Sequence, residues 1–573
     1  MPYNTAFVLR SSSIVTDFPK PWKVMLLALI AVVFVGAVKF RSDDFHRPLG
    51  EDELITLRVY TGAGTNGDGT PRDLSRREQL QNLLPLSPTE LALGAYASLG
   101  RWAEPNNHVV HSAAVNPFIG RIQPIETAVR LPALLAAMAF ALALAWLCVV
   151  TGRGWGAPVA AALAMVWPYV SWYSMESRGY ALMMLLCVLF VLAARWLLAR
   201  PGSILAGASL TAVSALTVMN LVNLSADWIA PGFLLIFLFP RWIQPDIADI
   251  KAVRKSLVIV GLATAAILGV FLMDRLPYLV SAMNQYGVPY SGAAGYAAQV
   301  VDAEEYLFPT MMWKCSGIAG LIGAIAAAYH RASRGLVALG FGSLVASAIH
   351  FAVAGKFPYL RNFGYLLVPM LFGFAVLADF AIGRLPRVTW RWIALVSLTR
   401  FITAIVQVEL TANPDPNYAH FTQTMSEVTV DGTPGRVIVE RGVMKSLDLY
   451  FPQTWEPVET PFPTTGTVDL IRVTKTGDEY SFQQQRFNIS DTGPAAWVVW
   501  HPPFAVTAVS PDAVLTELKQ AGAMTAIPYH SRYQAKLSIL SRVTVILAEG
   551  SDEDALRAIA AKHGGAVVRL VQN

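Results

Sequence analysis

The chain has 573 residues, of which 54% are hydrophobic and only 14% charged, with a formal net charge of +5. A composition this apolar excludes an ordinary water-soluble globule and favours a membrane protein. Three cysteines, two of them inside apolar windows, cannot supply a disulfide framework or a cysteine metal centre. The basic excess sits in short connections between apolar windows, so it implies no nucleic-acid partner.

In chain order, runs of about 17 to 22 mostly apolar residues, enough to cross roughly 30 Å of hydrocarbon as helices, begin near Pro21, Arg130, Trp155, Arg178 and Ser203. Further runs begin near Ala226, Leu257, Cys315, Gly335, Leu360 and Trp390, which predicts about eleven spans. The windows near Ser203, Ala226 and Trp390 are the weakest. The first run follows a basic segment but ends in Val-Lys-Phe-Arg, without a small-x-small cleavage site, so a retained anchor is expected.

Lysines and arginines near span ends mark the cytoplasmic side. Alternation puts Arg10, Lys20 and Lys23 on one side with Arg153, Arg195, Arg200, Arg241, Lys251, Arg254 and Lys255. Arg331, Arg334, Arg384, Arg387 and Arg391 fall there too. The expected topology therefore has a cytoplasmic N-terminus. The loop from about 41 to 130, the loop from Asp274 to Lys314 and the tail beyond Thr411 lie outside.

The first outer loop is too long for a structureless connection. Arg76–Leu84 and Glu90–Trp102 have helical patterns with apolar faces, which predicts amphipathic helices along the interface. Within this loop, Gly62 to Gly67 match GxGxxG, but Asp-Gly-Thr-Pro follows instead of a helix, so a flexible loop is expected and not a dinucleotide site. Two domains are predicted: a transmembrane module over 1–410 and a small soluble α/β domain over 411–573. The second rests on β-rich runs at Arg436–Glu440, Ala496–Trp500 and Thr544–Glu549, with helical patterns at Pro511–Ala521 and Glu553–His563. Asp552-Glu553-Asp554 reads as the acidic start of that last helix. Trp455, Trp497 and Trp500 suit core packing or sugar stacking.

Candidate chemistry gathers where spans meet the outer side. Asp52 and Glu53, preceded by Glu51, stand about a dozen residues beyond the first span, where a carboxylate can accept a hydroxyl proton; a helix cap or solvated loop start is the plainer role. Asn106, Asn107, His108 and His111 follow in the same loop, then Glu126, Arg130, Leu131 and Pro132. Glu176 and Arg178, with Tyr180, stand in the turn before the fourth span, either as a salt bridge or as ligands to a substrate. Lys356 and Arg361 oppose the positive-inside trend, and an anionic lipid head group would account for outward cations. His108 and His111, three apart, fit hydrogen-bonded histidines better than a metal site, because no acidic ligand shares their segment.

Together these motifs resemble the lipid-phosphate-sugar glycosyltransferases of the GT-C superfamily. The likeness is to the bacterial family 39 type, related to protein mannosyltransferases and lipid A aminoarabinose transferases. It runs through Asp52-Glu53, Pro105-Asn106-Asn107-His108 with His111-Ser112, Arg130-Leu131-Pro132 and Glu176 to Leu182. It covers the first 200 residues or so, the later spans loosely and the tail hardly at all. The resemblance implies a membrane all-α GT-C fold and an inverting transfer from a polyprenyl-phosphate sugar donor to a hydroxyl of a glycan, lipid or protein acceptor. Asp52 would be the general base and Glu53 its helper, with Asn107, His108, Glu176, Arg178, Tyr180, Lys356 and Arg361 around the donor's head group. Glu51 departs from the pattern by making a run of three acids. No cofactor is implied; metal-dependent branches exist among such enzymes, which leaves a divalent ion open.

Two other classes compete. A multi-span transporter or lipid flippase would use as many spans, but tends to place its binding residues near the midplane on broken helices. A cell-envelope scaffold explains the tail and not the ordered motifs of the first third.

Overall fold

The computed structural model describes residues 19–412, apart from 47–48, 50, 71, 73, 75–79, 100–107, 248, 274–287, 290–291 and 358–359. Beyond 412 it describes 436–440, 466–476, 479–489, 496–501, 516–517, 520, 525–531, 543–549, 553–562 and 566–572. Outside these residues lie Arg10, residues 76–79 of the expected helix at Arg76–Leu84, Pro105, Asn106, Asn107, Trp455, most of Pro511–Ala521 and much of the loop after Asp274. The chain divides into two compact units, one of Met1–His46, Thr56–Thr70 and Leu84–Ala412, the other of Arg47–Ile55, Pro71–Leu83 and Asn413–Asn573.

The first unit is mostly helical. Among the described residues eight helices are long and apolar enough to cross a membrane: Pro21–Phe40, Ile125–Val150, Tyr180–Ala199, Ile250–Met273, Met311–Ala328, Arg334–Ala354, Arg361–Gly383 and Val388–Ile405. Shorter apolar helices occupy Gly154–Val166, Ile204–Asn220 and Ser225–Leu238. Each expected window thus holds an apolar helix, but the short ones are not all the expected ones. The window near Trp390 is full length, whereas the one near Trp155 is cut in two. Proline disfavours helical backbone in the residue before it, so Trp167 is extended and a separate helix runs Pro168–Ser174.

Helix Ala157–Val166 is apolar on all sides and buried throughout, so it sits inside the bundle. Pro21–Phe40, Ile125–Val150 and Val388–Ala412 pack around it. Its last turn is held by an unusual partner. Lys39 is fully buried, and its Nζ donates to the carbonyl of Met165 at 2.6 Å and to Ser174 Oγ at 3.0 Å. A cation at a helix C-terminus answers both the orphan carbonyls and the macrodipole. Two other helices, Met311–Ala328 and Leu367–Gly383, approach so closely that a Cβ at Gly323 or Gly373 would overlap the facing backbone; small residues permit such contacts between membrane helices.

Between the first two long helices, helix Pro88–Ser98 starts two residues before the expected Glu90 because Ser87 and Glu90 close a reciprocal capping box. Gly62–Gly64 is a packed 3₁₀ turn and not the flexible loop expected of the glycine-rich segment. Asn116 Oδ1 accepts the Gly62 N–H at 2.7 Å, and a Cβ at Gly64 would overlap the Arg58 carbonyl. These glycines serve close backbone packing, and no phosphate cradle is needed to explain them.

In the second unit, the strands Arg436–Glu440, Gly466–Thr476, Glu479–Ile489, Ala496–His501, Thr525–Ser531, Val543–Glu549 and Ala566–Gln572 form one closed sheet. Its longest ladder is antiparallel, from Gly466 opposite Ile489 to Thr476 opposite Glu479. Helix Glu553–Lys562 precedes the last strand.

Candidate functional site

Helix Tyr180–Ala199 begins after Gly179, and helix Val109–Val115 begins after His108. The sequence around Gly179 lets these two starts meet. A Cβ there would lie 2.7 Å from His108 Nδ1 and 2.7 Å from Asn220 Oδ1, so only glycine admits both side chains without a shift. Asn220, the last residue of helix Ile204–Asn220, donates from Nδ2 to the Gly179 carbonyl at 2.8 Å. Three elements distant in sequence are thereby fastened at one point.

Tyr180 stands at the centre of an aromatic group. Its ring lies 4.8 Å from His108 in an edge-on arrangement, 4.4 Å from Tyr173 and 6.4 Å from Tyr169. Over it sits the guanidinium of Arg361, 5.8 Å from the ring centroid. Arg361 belongs to the 3₁₀ segment Leu360–Leu366, and the Tyr169 hydroxyl donates to its carbonyl. A cation over a tyrosine face is stabilised by the ring quadrupole, more so where water is scarce.

His108 is buried, and its pKa is lowered to about 3 by that burial first, then by the positive charges of His111 and Arg361. At neutral pH it is therefore an uncharged ring. His111 turns elsewhere, its Nε2 lying 3.2 Å from the buried Ser177 hydroxyl. Glu176 accepts from Trp172 Nε1 at 2.9 Å, and the Arg178 N–H donates to the Glu176 carbonyl at 2.7 Å. Among the described residues no three His, Cys, Asp or Glu side chains gather in a way that could hold a metal ion.

The structure thus brings His108, Tyr180 and Arg361 together, with Glu176 and Arg178 in the turn that leads into Tyr180. Lys356 lies in a two-residue strand paired with Val288–Pro289, and Asn107 lies outside the described residues. Asp52 and Glu53 are in helix Glu51–Val59, in the segment that belongs to the second unit; Glu53 is 1% exposed. The sequence did not single out Asn220, although it closes the turn at Gly179; nothing local distinguishes it from a helix-ending asparagine. Tyr169 and Tyr173 carried a weak signal, as aromatics beside a Trp-Pro break.

No protein-family model matches the chain and no curated protein matches it. Solved structures do. ArnT from Cupriavidus metallidurans in its apo state shares 12% identity over 92% of this chain and 97% of its own, with a TM-score of 0.44. The Archaeoglobus fulgidus oligosaccharyltransferase shares 15% identity over 77% of this chain at a TM-score of 0.41, and this chain spans 59% of its length. Arabinosyltransferase EmbB from Mycobacterium smegmatis shares 10% over 98% of this chain and 65% of its own, at 0.39.

Proposed function

We propose that the protein is a membrane glycosyltransferase that moves a sugar from a polyprenyl-phosphate carrier to a hydroxyl of an envelope glycan, lipid or protein, with inversion, on the outer face of a bacterial inner membrane. The observation that carries this reading is the Arg361–Tyr180–His108 cluster, a guanidinium on an aromatic face beside a buried neutral imidazole, at the ends of helices apolar enough to span a bilayer. A guanidinium held on an aromatic face at the end of an apolar bundle suits an amphiphile with an anionic head.

As the glycosidic bond breaks, negative charge grows on the carrier phosphate, and Arg178, Lys356 and Arg361 would interact with it more strongly than with the intact donor. Asn107, Glu176 and Tyr180 would complete the donor's surroundings. Asp52 is assigned as the base that takes the acceptor's proton and Glu53 as its orienting neighbour. A positioned base contributes roughly 10²- to 10⁴-fold in rate. The C-terminal unit is assigned as an extracytoplasmic α/β domain.

The test uses purified full-length protein with a labelled polyprenyl-phosphate sugar. Asp52→Asn should abolish transfer to acceptor while the protein stays folded and still binds the carrier. Full transfer by that variant would remove the proposed base.

A further inference from the structure

A second polar group lies inside the same bundle and is not used by the reading above. Helix Ser225–Leu238 opens with a π-helical turn over Ser225–Ile229, and π turns widen a helix and recur at functional sites. Asp227 on that turn is fully buried, and its Oδ1 accepts from His350 Nδ1 at 3.0 Å. Asn223 Nδ2 approaches its other oxygen at 3.4 Å. Ionisable residues at membrane depth are costly and face function or each other.

The two members are not equivalent. The Asp227 side chain is 0% exposed and that of His350 is 26% exposed, so the histidine is the member that reaches the accessible side. Helix Arg334–Ala354 shows an exposed apolar stripe of Phe341, Val345, Ile349 and Val353, suited to lipid tails. His350 stands directly beside that stripe, between the lipid-facing side and the buried side that carries Ser347 and Phe351. Nδ1 is taken by Asp227, and Nε2 has no hydrogen-bond partner among the described residues.

His350 also connects to the cation cluster. Its ring lies 5.0 Å from Phe351, which lies 6.0 Å from Phe363, two residues past Arg361. Trp228, next to Asp227, packs edge-on against Tyr365 at 5.8 Å. Tyr365 follows Arg361 by four residues of a 3₁₀ segment, which at about 2 Å per residue puts this layer roughly 8 Å further along.

We infer that His350, held by Asp227, is a contact for the phosphate head group of a lipid that enters sideways from the bilayer toward Arg361. This inference rests on the glycosyltransferase reading and adds a residue to its donor site. With Nδ1 bonded to the Asp227 carboxyl group, a ring carrying both protons would present an outward Nε2–H to a phosphate oxygen, with the carboxylate balancing its charge inside the bilayer. Asp227 acts through His350 and is a positioning residue: it fixes which ring nitrogen faces the ligand.

Two substitutions separate the two nitrogens. His350→Asn puts an amide nitrogen where Nδ1 stands, keeping the bond to Asp227 and deleting Nε2. His350→Gln reaches the Nε2 position and gives up the bond to Asp227. Binding of a polyprenyl phosphate and of the unphosphorylated polyprenol of equal length is measured on full-length protein in nanodiscs. His350→Asn should lose about tenfold in affinity for the phosphate and none for the alcohol, with an unchanged thermal midpoint, and His350→Gln should keep most of its phosphate affinity.

Should His350→Asn unfold, Asp227→Asn replaces it, because Asn keeps an acceptor for Nδ1–H and removes the charge that balances the ring. That variant should weaken phosphate binding several-fold and leave polyprenol binding as it was. Wild-type affinity for the phosphate in the folded variant, or an equal loss for both lipids, overturns the inference alone. Wild-type protein that binds neither lipid overturns the glycosyltransferase reading and this inference with it.

Discussion

Replacing Gly179 with alanine adds one methyl at the most crowded point of the candidate site. The new carbon would stand 2.7 Å from both His108 Nδ1 and Asn220 Oδ1, against a carbon–heteroatom contact of about 3.3 Å, so each group must retreat by about half an ångström, the kind of overpacking that costs typically 1–3 kcal/mol. Neither can move freely: Asn220 is tied to the Gly179 carbonyl at 2.8 Å, and His108 is packed against the Tyr180 ring at 4.8 Å. If the Asn220 bond is lost as well, about 1 kcal/mol more is added. The assay is thermal unfolding of the full chain in detergent, with carrier-phosphate binding measured in parallel. Gly179→Ala should lower both, and His108→Ala combined with it should recover part of the loss in stability, since one of the two clashes is gone and the cycle should show coupling. A Gly179→Ala protein as stable as wild type, with unchanged binding, would refute the claim that this turn fastens the site.

The protonation of His108 gives a second test. Folded, the ring takes up a proton only near pH 3, whereas in the unfolded chain it does so near 6.5. The unfolded state binds more protons in between, so the stability tied to the neutral ring is whole above about 6.5 and is lost as pH falls toward 3, by up to about 1.4 kcal/mol per pH unit. Melting curves from pH 7 to 4.5 should fall less steeply for His108→Gln than for wild type; equal slopes would count against the buried neutral ring. Asn116→Ala strands the Gly62 N–H that Asn116 Oδ1 accepts at 2.7 Å, and should cost about 1–3 kcal/mol in thermal stability. Arg361→Ala should weaken carrier binding, and Arg361→Lys should restore only part of it, because an ammonium cannot lie flat over Tyr180 as a guanidinium does; full recovery by lysine would reduce the site to a point charge.

The helical windows were legible because apolar runs of membrane length need no knowledge of their neighbours. The end of the third apolar run at Trp167-Pro168-Tyr169 is legible from proline, and the short helix Pro168–Ser174 beyond it is not. His108, Tyr180 and Arg361 were picked out singly, as polar residues at span ends. That they meet depends on Gly179 and Asn220, a glycine and an amide whose importance lies in contacts 71 and 41 residues away, His108 to Gly179 and Gly179 to Asn220. The GxGxxG segment misled for a related reason, since Gly62 and Gly64 answer to the backbone at Glu90 and Arg58, while Gly67 stands in open space. Asp227 did leave a trace: an acid inside an apolar window lowers that window's hydropathy, and what reads as a weaker span is a buried carboxylate with its histidine.

The most direct measurement follows a labelled sugar on polyprenyl phosphate, incubated with the purified protein in proteoliposomes together with an envelope acceptor extract. The account predicts that label passes to the acceptor with inverted anomeric configuration while free polyprenyl phosphate accumulates in equal amount. Label that stays on its lipid and crosses the bilayer without any acceptor present would contradict it and mark the protein as a transporter.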